Sequence, residues 1–136
     1  KLGQVIQADD GFLLVVSYNP GYQNAVKDLK HSTRQRFVAI EFDFPDVDRE
    51  TKIIAHESGL EEGMSNQLAV LGQKIRNLRE HGLEEGASTR LLIYAARLIK
   101  QGISPKRACQ VALTWGITDE LQIQETVDQI VSSIFE

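Results

Sequence analysis

The sequence has little cysteine, few aromatic residues and no long apolar run. Its single cysteine, Cys109, excludes an internal disulfide and favours a reducing compartment. The longest apolar runs, residues 12–16 and 91–96, are far shorter than the roughly 18 residues that a membrane-spanning helix needs. No basic and then apolar leader is present at the start. We therefore expect a soluble, cytoplasmic protein without a membrane span.

The chain as a whole has only a small excess of negative over positive charge. The net charge is −4, and residues 1–45 balance at five basic and five acidic residues. Residues 117–136 contain five acidic residues and no basic one, which indicates a solvated helix face or, alternatively, a docking surface for a basic partner. A helix-turn-helix over residues 104–117 has only Lys106 and Arg107 as basic residues, so we expect no nucleic-acid partner.

The 136 residues, 42% of them hydrophobic, are enough for one domain or two small ones. Residues 12–17 and 37–44 are dense in apolar residues and predict two strands, the first preceded by a turn at Asp10-Gly11. Pro45 ends the second strand and marks a boundary. The predicted fold class is therefore α/β for the first part, followed by an all-α part.

Residues 46–136 change to helical periodicity and predict a bundle of helices. The predicted helix caps and stops are Asp46 or Asp48, Gly59, Gly82, Ser88, Gly102, Ser104 with Pro105, and Thr118. The positions predicted to face the core include Met64, Leu68, Leu71, Ile75, Leu78, Leu91, Leu92, Ala95, Leu98, Ile99, Ala108, Val111, Ala112, Ile123, Val127, Ile130 and Ile134. Trp115 is expected to close this core.

Three polar residues in the first part could take part in catalysis. Asn19 follows the first predicted strand, where its amide could orient a water or contact a phosphate, although Asn-Pro is also a common turn former. Arg34 and Arg36 precede the second predicted strand. A guanidinium can stabilise charge on a transferring phosphoryl group; alternatively, these are surface arginines paired with Glu41 or Asp43.

Arg90 lies two residues after the predicted cap Ser88, in the first turn of a helix. A cation there opposes the helix macrodipole at a cost of a few tenths of a kcal/mol, so a reason other than stability is indicated. Cys109 is expected to be a buried small residue rather than a nucleophile. The three histidines have no metal-ligand spacing, so no metal site is predicted from them.

Three segments together resemble a known family: residues 17–23 (SYNPGYQ), 32–37 (STRQRF) and 86–92 (GASTRLL). With them, nearly the whole chain resembles the C-terminal part of the CbbQ/NirQ/NorQ branch of MoxR-type AAA+ ATPases. The resemblance implies that residues 1–45 are the end of the AAA+ α/β core, with a hairpin, the sensor-1 strand, the arginine-finger segment and the last strand. It implies that residues 46–136 are the helical lid.

The same resemblance implies a role for each candidate residue. Asn19 matches the sensor-1 residue, and Arg36 best matches the arginine finger that reaches into a neighbouring subunit, with Arg34 as the alternative. Arg90 matches the sensor-2 arginine, through which the lid contacts bound nucleotide. The implied cofactors are ATP and Mg²⁺.

Two elements expected of such an ATPase are absent from this sequence. It contains no G-x-x-x-x-G-K-[ST] phosphate loop, and no apolar strand ends in an Asp-Glu pair. We therefore expect a fragment, or a truncated or degenerate member, that does not hydrolyse ATP alone because these parts would lie upstream of Lys1. The alternative is a non-catalytic helical module that binds other proteins.

The resemblance also implies partners for the intact protein. It would assemble into a homo-hexameric ring, act with a von Willebrand factor A domain protein, and remodel or activate a metabolic enzyme. Rubisco and the metalloenzyme nitric oxide reductase are the implied types of client. No motif in this chain chooses between them.

Overall fold

A computed structural model describes the chain at residue 3 and at residues 7–17, 31–78, 83 and 86–135. The chain divides into two compact units, residues 1–41 and 42–136. The longer helices and the buried core belong to the second unit.

In the first unit, a turn and one short helix are described. Gly11 has a φ of 85°, a left-handed conformation that favours glycine. The N–H of Phe12 donates to the carbonyl of Asp9 at 3.1 Å, which confirms the turn predicted from the Asp-Gly pair. Helix α1 is a single turn, His31–Arg34.

The two predicted strands are not observed where the structure describes the chain. Residues 12–17 and 37–44 have no regular secondary structure, and their apolar side chains are exposed, Val38 by 92% and Phe42 by 88%. A strand is stable only when its backbone groups pair with a neighbouring strand and one face is covered. Neither condition is met among the described residues, so the predicted fold class is confirmed only in its helical part.

Helix α2 spans Val47–Ser58 and begins at an Asp cap. The carboxylate of Asp46 accepts from the N–H of Arg49 at 2.8 Å, which confirms the first of the two predicted caps. The helix ends at Gly59, whose φ of 67° is again left-handed and whose N–H donates to the carbonyl of Ala55 at 2.8 Å.

Helices α3 and α4 pack against α2. Helix α3 spans Glu62–Arg76, and the side chain of Glu61 caps it by accepting from the N–H groups of Gly63 and Met64. Helix α4 spans Thr89–Lys100 and is capped by Ser88, as the sequence predicted. Both helices bury one apolar face, and all three contact one another.

The last part of the chain folds back over α3 and α4. Helix α5 spans Pro105–Cys109 and continues through a π-helical turn, Gln110–Thr114, into the short helix α6, Trp115–Ile117. Helix α7 spans Leu121–Ile134. The predicted cap Thr118 lies before that helix: its Oγ1 accepts from the N–H of Glu120 at 3.1 Å and not from a helix N–H group.

The expectation that Trp115 and Val111 face the core was wrong. Trp115 is 49% exposed and Val111 is 43% exposed. The prediction assumed an unbroken period of 3.6 residues, but a π-helical turn holds an extra residue and shifts the buried face by one position. Leu113 and Thr114 are buried instead.

The core of the second unit is formed by side chains from α2, α3, α4 and α7 and from the segment around the π turn. Most of the predicted α3 positions are buried, whereas Ala96 and Val131 were not predicted. The core residues are Ile54, Leu68, Ala69, Leu71, Ile75, Leu83, Ala87, Leu92, Ala95, Ala96, Cys109, Leu113, Val127, Val131 and Phe135. Of the helices that the structure describes, none has the length and apolar character to cross a bilayer.

Candidate functional site

Arg90 lies at the exposed start of α4. Its helix begins at Thr89, and the cap Ser88 accepts from the N–H of Leu91 through its side chain at 3.4 Å and through its carbonyl at 3.0 Å. Arg90 itself is exposed and makes no ion pair with any residue that the structure describes. The structure therefore confirms the predicted first-turn position, and it leaves the guanidinium open to a ligand.

Beneath this helix start lies a buried ion pair that the sequence analysis missed. Glu50, on α2, is 1% exposed, and both of its carboxylate oxygens accept from Arg76 at the end of α3. The distances are 2.8 Å from Nη1 to Oε2 and 2.7 Å from Nη2 to Oε1. Such a bidentate contact fixes the guanidinium in one orientation and makes strong charge-assisted hydrogen bonds.

The same pair holds the residues on both sides of the helix cap. The hydroxyl of Thr89 donates to Oε1 of Glu50 at 2.6 Å. On the other side of Ser88, the carbonyl of Ala87 accepts from Nε of Arg76 at 2.8 Å. The backbone that leads into α4 is therefore tied to α2 and α3 by side chains, directly before Arg90.

Two further contacts enclose the Arg76 guanidinium and its stem. The aromatic ring of Phe44 lies over the guanidinium, with its centroid 3.9 Å from Cζ. Gly86 lies so near to Arg76 that a Cβ atom built on it would be 2.9 Å from Cγ and 3.3 Å from Cα of the arginine. Glycine is thus required at the first position of the GASTRLL segment by a close approach.

A signal for this network was present in the sequence. Glu50 occupies a helix position between Val47 and Ile54 at three and four residue steps, on the face that turns inward. A charged residue on an apolar face is almost never buried without a partner. The position of Glu50 therefore indicated a buried pair, although not that Arg76 was the partner.

The other predicted site residues lie in the first unit. Arg34 ends α1, and Arg36 follows in a turn where its N–H donates to the carbonyl of Thr33 at 3.1 Å. Both arginines are exposed, and neither forms an ion pair with Glu41 or Asp43 within the described part of the chain. Asn19 lies outside the described residues.

A second polar cluster links the π turn to α7. The buried hydroxyl of Thr114 donates to Oδ1 of Asp128 at 2.6 Å, and the amide of Gln110 donates to Oδ2 at 3.4 Å. The Arg107 guanidinium lies over the Trp115 ring, 4.8 Å from its centroid, which gives this exposed indole a contact outside the core.

Cys109 has the environment of a structural residue. It is fully buried, and burial together with the nearby charge of Asp128 raises the pKa of its thiol from 9.0 to about 12. The thiol is therefore protonated near neutral pH and is not a nucleophile, which confirms the prediction. In the part of the chain that is described, no group of His, Cys, Asp and Glu side chains could hold a metal ion.

Similarity to known proteins identifies the family. The family model named CbbQ/NirQ/NorQ C-terminal matches residues 50–134, which include Glu50, Arg76, Thr89 and Arg90. The chain belongs to the CbbQ/NirQ/NorQ family. The family that the three segments indicated is thereby confirmed.

Curated members of the CbbQ/NirQ/NorQ family align over most of the chain. Denitrification regulatory protein NirQ of Pseudomonas aeruginosa is 54% identical over 120 residues, 88% of this chain and 46% of its own length. Protein NorQ of Paracoccus denitrificans is 48% identical over 135 residues, 99% of this chain and 50% of its own. Protein CbbQ of Hydrogenophilus thermoluteolus is 46% identical over 135 residues, which are 99% of this chain and 51% of its own length. The chain thus spans about half the length of these relatives.

Proposed function

We propose that this chain is the C-terminal part of a MoxR-type AAA+ ATPase whose intact form binds ATP with Mg²⁺ and hydrolyses it in a homo-hexameric ring. Membership of the CbbQ/NirQ/NorQ family supports this proposal. In it, residues 46–136 are the lid and residues 1–45 complete the ATPase core. The single cysteine fits a reducing compartment, and we place the protein in the cytoplasm.

The exposed guanidinium of Arg90 is the observation that carries the proposal. It is a cation in the first turn of α4, where it does not help its own helix, and the backbone before it is held by the buried Glu50–Arg76 pair. A phosphate has the charge and the acceptor oxygens that such a guanidinium binds. In the proposal, Arg90 contacts bound nucleotide and reports its state to the lid.

The roles proposed for the first unit concern the transition state. Arg36, or Arg34 as the alternative, supplies the arginine finger to the neighbouring subunit, and Asn19 orients the attacking water. The exposure of both arginines supports a role in trans.

The proposed role of ATP hydrolysis is to change the state of another protein. We propose that the ring acts with a von Willebrand factor A domain partner on a metabolic enzyme of the Rubisco or nitric oxide reductase type. The name of the NirQ relative, a denitrification regulatory protein, supports the second type of client. Copurification of the intact protein with each client, with and without ATP, would separate the two.

The test of the ATPase roles uses the intact protein. Arg36→Ala should reduce steady-state ATP hydrolysis by roughly 10³ to 10⁵ and leave nucleotide binding nearly unchanged, because a finger acts on the transition state. Arg90→Ala should weaken nucleotide binding and reduce the nucleotide-induced rise in melting temperature, with little change in the melting temperature of the apo protein. Arg97→Ala removes another exposed arginine of the same helix and serves as the control.

Three outcomes would change these assignments. Wild-type turnover in Arg36→Ala with loss of turnover in Arg34→Ala would move the finger by two residues. A large fall in the apo melting temperature of Arg90→Ala, with an unchanged rise on adding nucleotide, would make Arg90 a structural residue. ATP hydrolysis by the 136-residue chain alone would contradict the proposal that the phosphate loop is supplied by residues outside it.

A further inference from the structure

The strongest contacts at the start of α4 are not made by its cap. The side chain of Ser88 accepts from the helix at 3.4 Å, whereas Thr89 donates to the Glu50 carboxylate at 2.6 Å. Hydrogen bonds to a carboxylate are shorter and stronger than neutral ones, and an oxygen at 3.4 Å contributes little. The side-chain contact that fixes the first turn of α4 is therefore that of Thr89.

We propose that Thr89 is a positioning residue for nucleotide binding, whose hydroxyl, held by the buried Glu50–Arg76 pair, sets the orientation from which Arg90 reaches a phosphate. This inference rests on the proposed function of Arg90. Thr89 itself touches no ligand in it; it acts only through the neighbouring side chain.

The rigidity of the pair supports this role. Oε1 of Glu50 accepts from Thr89 and from Arg76 at the same time, at 2.6 Å and 2.7 Å, and Arg76 is oriented by its second contact to Oε2. The Glu50 oxygen that accepts from the Thr89 hydroxyl is therefore held in one position. Ala87, tied to the same arginine, fixes the chain two residues before Thr89.

The charge of the buried Glu50–Arg76 pair also indicates that the pair positions neighbouring groups and does not serve only to stabilise the fold. Burying two charges costs desolvation free energy that their attraction offsets only when geometry is very good, and apolar replacements of such pairs are often neutral. The other buried polar side chains of α2 and α3, Thr51, Ser58 and Ser65, are uncharged, and the rest of the core around these helices is apolar. A directional pair beneath an exposed arginine provides an orientation that an apolar contact would not.

The test measures the affinity of the intact protein for a non-hydrolysable ATP analogue by calorimetric titration. Thr89→Val keeps the shape of the side chain and removes the hydroxyl, and we expect about tenfold weaker binding, the equivalent of one weakened charge-assisted hydrogen bond. Thr89→Ser restores the hydroxyl and should bind within about twofold of the wild type. If Thr89→Val does not fold, Thr89→Ala serves in its place.

The matched control is Thr114→Val. It removes a threonine hydroxyl that also donates to a carboxylate at 2.6 Å, but between the π turn and α7. We expect it to lower the melting temperature and to leave the affinity for the analogue unchanged. An equal loss of affinity in Thr114→Val would show a general effect of destabilisation and would overturn the positioning role.

The decisive measurement is the double variant. Thr89→Val in the Arg90→Ala background should cause less than about a twofold further loss, because neighbours that act as one unit are not additive. A full tenfold loss in that background, or wild-type affinity in Thr89→Val alone, would overturn the inference and leave the role of Arg90 intact. Wild-type affinity in Arg90→Ala would instead refute the proposed role of Arg90, and with it the inference.

Discussion

Removal of the Arg76 side chain should destabilise the helical unit more than removal of an exposed charged side chain does. Glu50 is 1% exposed in the structure, and in Arg76→Ala it loses both contacts from the guanidinium and keeps only the Thr89 hydroxyl. The carbonyl of Ala87 loses its partner as well. Breaking a buried pair in this way costs about 3–5 kcal/mol, a third or more of the stability of many domains.

The assay is urea unfolding of the chain at pH 7, with Arg97→Ala as the matched control. Arg97 pairs with Glu57 at 3.9 Å, but the two side chains are 51% and 49% exposed. Exposed pairs contribute about 0–1 kcal/mol. The free energy of unfolding should therefore fall by at least about 2 kcal/mol more in Arg76→Ala than in Arg97→Ala.

A double replacement separates the cost of an unpaired charge from the value of the pair. Arg76→Met with Glu50→Leu removes both charges, and the free energy of unfolding should recover by at least about 2 kcal/mol relative to Arg76→Ala, because no buried charge is left unpaired. Equal stability of Arg76→Ala and Arg97→Ala would refute the reasoning, since the Glu50 carboxylate would then not need its partner.

Two smaller effects should also be measurable by urea unfolding. Gly59→Ala should lose about 1–2 kcal/mol because a φ of 67° is strained for alanine, and an unchanged midpoint would contradict this. The Cys109 thiol has a pKa of about 12 in the folded state and an ordinary pKa of 9.0 in the unfolded state. Between these two pH values the folded protein keeps a proton that the unfolded chain releases. Stability is therefore lost as pH rises from about 9 to about 12, by at most about 1.4 kcal/mol per pH unit. The loss of stability over this pH range should be smaller in Cys109→Ala, because the contribution of the thiol is removed, and equal slopes in the two proteins would refute the prediction.

Several helix ends that depend on local chemistry were predictable from the sequence, although the cap predicted at Thr118 was not observed. The cap at Asp46, the stop at Gly59 and the cap at Ser88 each follow from a side chain or backbone preference acting within four residues. The first-turn position of Arg90 followed directly from the last of these. Local rules were therefore sufficient for the ends of α2 and for the start of α4.

Features that depend on distant residues were not predictable in this way. Residues 12–17 and 37–44 have the composition of strands, but a strand also needs a partner, which composition does not report. The pairing of Glu50 with Arg76 joins residues 26 positions apart, and its contact with Thr89 joins residues 39 apart. Spacing along one helix indicates such a site but not the partner.

The π turn at Gln110–Thr114 has a consequence for how this part of the chain can vary in length. Elsewhere in a helix, deleting one residue rotates everything beyond it by about 100° and turns a buried face toward solvent. A π turn already contains one residue more than an α turn, so a deletion within it would leave an ordinary helix with its two ends in their present orientation. Relatives shortened by one residue in this region are expected to have their gap here.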